Sequence, residues 1–139
     1  MSVRREAQLR AAALGVTGLS SGIALIGGAY GLLNLDTAAS LGTTAFEPTY
    51  TTSIIETVVG LLIAWRHPSH LVAWTFLGIG LSGDMLGAFR SYGFYGRVTD
   101  PGSLPGAGIL SWIASWGFVI PAGGFFFAKT VRHTASVTP

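Results

Sequence analysis

The chain contains no cysteine. That excludes a disulfide framework, a CxxC redox pair, a thiolate zinc site and a cysteine nucleophile. Charge is the second shortage. Eight Lys+Arg and six Asp+Glu make 10% of the 139 residues, where a soluble domain carries about 25%. The net charge is only +2, and the basic residues stand in short groups. No continuous basic face can form, so no nucleic-acid partner is expected. With 50% hydrophobic residues, the chain is also unlike a disordered one, which is rich in charge and poor in apolar side chains. No nucleophile–base motif, phosphate loop or dinucleotide fingerprint occurs. Gly78-Ile79-Gly80 lacks the strand–turn–helix setting that such glycines require. The residues therefore point to no catalytic group, no enzyme and no cofactor.

What the chain does have is long apolar runs. The first covers about residues 11–33 and holds no charge. The second covers about 48–65 and includes Glu56; the third covers about 71–90 and includes Asp84. The fourth covers about 108–128 and is again uncharged. Roughly 20 apolar residues at 1.5 Å each span a hydrocarbon core. The pattern predicts a single domain over 1–139: an all-α integral membrane protein with four transmembrane helices in an up-down bundle. A short cytoplasmic tail, 129–139, follows. Arg66-His67-Pro68-Ser69-His70 is a tight link, so the second and third helices are expected to be antiparallel neighbours. A cleaved leader is an alternative for the first run. Its apolar stretch is longer than a signal core, and only Thr37-Ala38-Ala39-Ser40 offers a weak cleavage site.

Basic residues set the orientation. Arg4, Arg5, Arg10, Arg66, Lys129 and Arg132 fall on one side if the chain crosses four times. The other side has Arg97, with Arg90 at a helix end, and also Asp36, Glu47 and Asp100. Both termini are thus expected in the cytoplasm, with the protein multi-pass in an inner (plasma) membrane. Tyr50, Tyr92 and Tyr95 would lie near the outer interface, and Trp65 and Trp74 would flank the inner turn. Trp112 and Trp116, four apart, suit either an interface or bundle packing.

Lipid tails are as apolar as leucine, so helices associate by close backbone packing, which small residues permit. Gly18 and Gly22, Gly27 and Gly31, and Gly83 and Gly87 are GxxxG pairs inside apolar runs, and Ser111 and Ser115 are a related pair. They mark expected packing seams, within the chain or with partners. Pro121 should kink the fourth helix. The turn formers Asp100-Pro101-Gly102-Ser103-Leu104-Pro105-Gly106 read as two successive turns leading into it.

Glu56 and Asp84 are the candidate intramembrane polar site. Ionisable groups within a membrane segment are costly and often functional. At 1.5 Å per residue from the inner turn, Glu56 lies roughly 15 Å up and Asp84 roughly 21 Å up the neighbouring helix. Facing each other, two carboxylates could share a proton. Alternatively, a carboxyl group can bond Ser53, Thr57 or Ser82 and hold helices together. Arg90, about 240° around the helix from Asp84, is expected to snorkel to outer headgroups. His67 and His70 lack further ligands nearby, so no metal site is expected.

Gly60 to Trp74, GLLIAWRHPSHLVAW, resembles the N-terminal transmembrane region of certain sensor histidine kinases of actinobacteria and related groups. There a basic turn of the form RRPRNPIGW joins two membrane helices; Arg66, Pro68 and Trp74 match it, while His70, Leu71 and Ala73 depart from it. Tyr92-Gly93-Phe94-Tyr95-Gly96 resembles the family's YxxYG element. Pro101 to Gly106 matches its PGSLPG loop, followed by Trp112 and Trp116 at the family's spacing. The likeness spans about residues 58–122. Arg90 stands where the family often has an acidic residue. The phosphoacceptor-His and ATP-binding domains of that family are not among these residues, so the resemblance implies a sensing or scaffold module without kinase activity.

The expected function is therefore non-catalytic: a small sensor-input-like or membrane-scaffold protein working through helix packing. Its partners would be the lipid bilayer and other membrane subunits or further copies of itself. An accessory subunit of a larger membrane complex, a small proton- or cation-conducting protein, and a remnant of a longer kinase gene are the alternatives.

Overall fold

The computed structural model describes residues 3–46, 48–117 and 119. Among them, regular structure is entirely helical. Helix α1 runs Val3–Leu33, a short α2 Leu35–Ser40, α3 Pro48–Arg66, α4 Leu71–Phe94 and α5 Ala107–Trp116. A π-helical turn, Tyr95–Thr99, extends α4. Glu47, Pro121, Lys129, Arg132, His133 and the expected tail lie outside the described residues, as does the later part of the fourth apolar run.

Helix α1 begins well before its apolar run, because Arg4 to Arg10 is made of good helix formers, with Glu6 in the first turn favourably placed against the helix dipole. The short α2 lies between the first two apolar runs, where no helix was expected. It ends in a Schellman-type closure: Thr43 N–H donates to Ala38 O at 3.0 Å and Gly42 N–H to Ala39 O at 3.1 Å. Gly42 supplies the required left-handed backbone, with φ of 65°. Pro48 opens α3, where its missing N–H breaks no helical bond.

The link between α3 and α4 is built by its own side chains. His70 is the N-cap of α4, its Nδ1 accepting from Val72 N–H at 3.3 Å. Trp74 Nε1–H donates back to Pro68 O at 2.9 Å. These bonds give Pro68, His70 and Trp74 a turn-closing role. Among the described residues, no group of three or more His, Cys, Asp or Glu is placed to hold a metal ion.

Helix α4 is the centre: α1, α3 and α5 all pack on it, and α1 also touches α3. The interior is made of small side chains. Ala13, Ala64, Ala73 and Leu77 form the buried apolar cluster, while Gly27, Gly31, Gly80, Gly87 and Gly93 are also buried. Large apolar side chains point outward instead, among them Leu25, Leu62, Ile109, Trp112 and Trp116, each more than half exposed. A water-soluble bundle would bury such residues and pay little to expose Ala and Ser.

Among the described residues, two helices are long and apolar enough to cross a membrane: α1, and α4 with its π turn over Leu71–Thr99.

Candidate functional site

Asp84 sits at the meeting point of three helices and is 1% exposed. Ser20 on α1 donates to its Oδ2 at 2.5 Å, and Ser53 on α3 donates to its Oδ1 at 2.6 Å. Ser20 Oγ also lies 3.2 Å from Thr57 Oγ1. Ser20 has one hydroxyl proton, and the carboxylate takes it, so Thr57 donates to Ser20. The result is a chain of polar side chains from α3 through α1 to α4, with Ser20, Ser53 and Thr57 all buried. Burying a carboxyl group is costly unless hydrogen bonds replace its water, and here each oxygen has a donor.

Local sequence explains why this node can close. A Cβ added at Gly80 would collide with Thr57 Oγ1 and approach Ser53 O to 2.9 Å. At Gly83 it would meet Ser53 Cβ at 2.8 Å, and at Gly60 it would meet Leu77 N at 2.8 Å. The glycines thus let α3 and α4 approach along a seam that delivers Ser53 and Thr57 to Asp84. Of these, Gly83 was singled out by its GxxxG spacing; Gly60 and Gly80 belong to no such pair.

The other expected residues are distributed differently. Glu56 is half-buried on the flank of α3, and no hydrogen bond joins it to Asp84 among the described residues. Ser82, an alternative partner, donates to Gly78 O of its own helix. Gly27, Gly31 and Gly87 are buried, and a Cβ on Gly31 would strike Phe46. Gly18 and Gly22, with Gly15, have open space where a Cβ would stand. That face of α1 packs on nothing within the described chain.

A second polar tie lies at the other end of α1. Asn34 is 1% exposed; its Nδ2 donates to Ser91 O at 2.9 Å, and its Oδ1 accepts from Thr99 Oγ1 at 2.7 Å. Tyr30 packs edge-on against Tyr92 and Tyr95, with ring centroids 5.2 and 5.7 Å apart. Tyr92 OH donates to Pro105 O at 2.9 Å. This tyrosine cluster anchors the π turn and the turn-rich segment after it. Asn34 and Tyr30 carried no sequence signal, since an Asn at a helix end and a Tyr within an apolar run are both ordinary.

Toward the opposite end, the Arg10 guanidinium lies 5.9 Å from the Trp65 ring centroid, a cation–π distance. Trp112 and Trp116 face outward, 65% and 62% exposed, so they do not fill the bundle core. Arg90 lines two clefts beside Phe94. One, of about 160 Å³, is bounded by Asn34 and Thr43–Ala45; the other, of about 360 Å³, lies between α4, the π turn and α5.

Comparison of the chain with known protein families, with curated proteins and with solved structures finds no match.

Proposed function

We propose that this chain is a non-catalytic integral membrane protein, crossing a bacterial inner membrane four times with both termini cytoplasmic. It acts as a sensor-input-like or scaffold module through the packing of its helices with membrane partners. The observation that carries this reading is the inverted distribution of side-chain size around Asp84. Small residues and satisfied hydroxyls fill the inside, while Leu, Ile and Trp cover the outside. That is the arrangement expected where lipid, not water, is the solvent, because helices then cohere by close packing and polar ties. Asp84 is the element on which packing depends: it is the shared acceptor for α1 and α3, so a change in its bonding would shift both against α4. Glu56, half-buried on α3, is the second group through which that arrangement would be biased.

One observation favours a closely related reading, an accessory subunit of a larger complex. The Gly15, Gly18 and Gly22 face of α1 is open, the form a seam takes when the matching helix belongs to another chain. Purification in mild detergent, with mass analysis of what stays bound, tests both. A stoichiometric second subunit or second copy, released by Gly18→Leu with Gly22→Leu, is expected. A monomer carrying only lipid, unchanged by those substitutions, would rule out a partner-packing role.

A further inference from the structure

The 360 Å³ cleft between α4, its π turn and α5 is lined by Arg90, Phe94, Arg97, Val98, Ser111 and Ser115. We infer that it binds a small water-borne organic anion, a carboxylate or phosphate on a short apolar body. This deepens the sensor-input reading by naming a ligand class, and it rests on that reading only for the side from which the ligand arrives.

The cleft is within the size of small-molecule sites, which begin at about 300 Å³. Two guanidinium groups line it, and both belong to the end of α4 that the charge distribution assigns outside, where basic residues are otherwise scarce. Arg97 has no hydrogen-bond or ion-pair partner among the described residues. Arg is suited to planar, bidentate anion recognition and holds its charge at any working pH. Ser111 Oγ is half-buried and likewise without a hydrogen-bond partner among the described residues. It lies over Gly93, where any Cβ would collide with it, so the glycine keeps room for the hydroxyl at the cleft floor. Ser115 donates to Trp112 O at 2.7 Å and contributes a wall, not a donor. Phe94 and Val98 supply apolar surface for the ligand's body.

The π turn is an independent pointer. Asp100 N–H donates to Tyr95 O at 2.8 Å, an i→i+5 bond that widens the helix where Arg97 projects. Such turns are strained relative to α-helix and concentrate at functional sites. Here the widening is held by Asn34, through Thr99, and by the Tyr30 cluster. Counting 1.5 Å per residue from Leu71 places Arg97 roughly 39 Å along, beyond a hydrocarbon core of about 30 Å. A soluble anion can reach it there.

The purified full chain is titrated with succinate, inorganic phosphate and octanoate by calorimetry and by tryptophan fluorescence, since Trp112 neighbours Ser111. Saturable binding of succinate or octanoate is expected, tighter than that of inorganic phosphate, which lacks the apolar body; binding of phosphate alone would overturn the organic-anion assignment. Arg97→Gln should weaken it on the order of tenfold or more, the loss of one charge-assisted contact. Ser111→Ala should weaken it by about threefold, and Arg97→Lys should fall between wild type and Arg97→Gln. Helicity should be unchanged in all three. No saturable response to any probe, or equal binding by Arg97→Gln, would overturn the proposal. So would a response only to phosphatidylglycerol in nanodiscs, which would make the site a lipid-headgroup contact. These titrations are independent of membrane sidedness, so failure of the four-crossing topology would leave their result standing.

Discussion

Ser20 on α1 and Asp84 on α4, 64 residues apart in sequence, are joined by a 2.5 Å hydrogen bond between fully buried side chains. With Ser53 on the other carboxylate oxygen at 2.6 Å, one residue of α4 fixes the positions of two neighbouring helices.

Replacing Asp84 therefore separates shape from bonding. Asp84→Asn keeps the volume and one acceptor oxygen and offers an N–H₂ to the second serine, so it should be mild. Asp84→Ala strands two buried hydroxyls and opens a cavity, and should destabilise by about 1–3 kcal/mol. Unfolding of both variants by sodium dodecyl sulfate from mixed micelles measures the order; Asn as damaging as Ala would mean that the bonds contribute little.

The glycines divide into two groups with opposite expectations. Gly60→Ala puts a methyl against the Leu77 backbone, which cannot yield without moving the helix, so α3 and α4 should separate at a cost of about 1–3 kcal/mol. Gly18→Ala meets open space and gains helix propensity of up to about 1 kcal/mol, so the isolated chain should be unharmed. Thermal denaturation in detergent reads both.

Asn34 ties the end of α1 to Ser91 and to Thr99 in the π turn. Asn34→Ala should loosen the π turn first, leaving the Asp84 node intact. Amide hydrogen exchange should quicken over residues 95–102 by on the order of tenfold, equivalent to about 1.4 kcal/mol of lost protection. Uniform quickening along α4 would contradict this local role.

The absence of cysteine makes the chain a ready background for single-cysteine mapping. Cysteines at Thr43 and Gly102 should react with an impermeant maleimide from outside the cell. One at Ser69 should react only after the membrane is opened. Labelling of all three from one side would refute four crossings.

The helical class, the turn at Pro68 and Asp84 as a carboxyl group within an apolar helix were legible in the sequence because each has a local signature. Apolar length marks a span, a Pro between basic and His residues breaks a helix, and a carboxylate inside an apolar run stands out. The partners of Asp84 were only half legible. Ser53 was among the candidate hydrogen-bond partners, whereas Ser20 has no signature of its own in the first apolar run, and its role depends on how α1 rotates against α4. Spacing alone could not sort the glycines, because GxxxG marks a possible seam on a helix without saying which face is covered. Gly60 and Gly80 matter through what lies opposite them, which is tertiary information. Counting residues along two helices says nothing of which way each side chain faces: Asp84 is fully buried, whereas Glu56 is half-buried.

The most direct test of the Asp84 node is a double-mutant cycle on Ser20→Ala and Asp84→Ala, each of which removes the bond, read as unfolding free energy in detergent. Within membrane proteins such pairs couple by about 0.6 kcal/mol on average and about 1.7 at most. Coupling in the upper half of that range is expected, because both side chains are buried and the acceptor is a carboxyl group. Strict additivity of the two substitutions would mean that α1 and α4 are held together by something other than this bond.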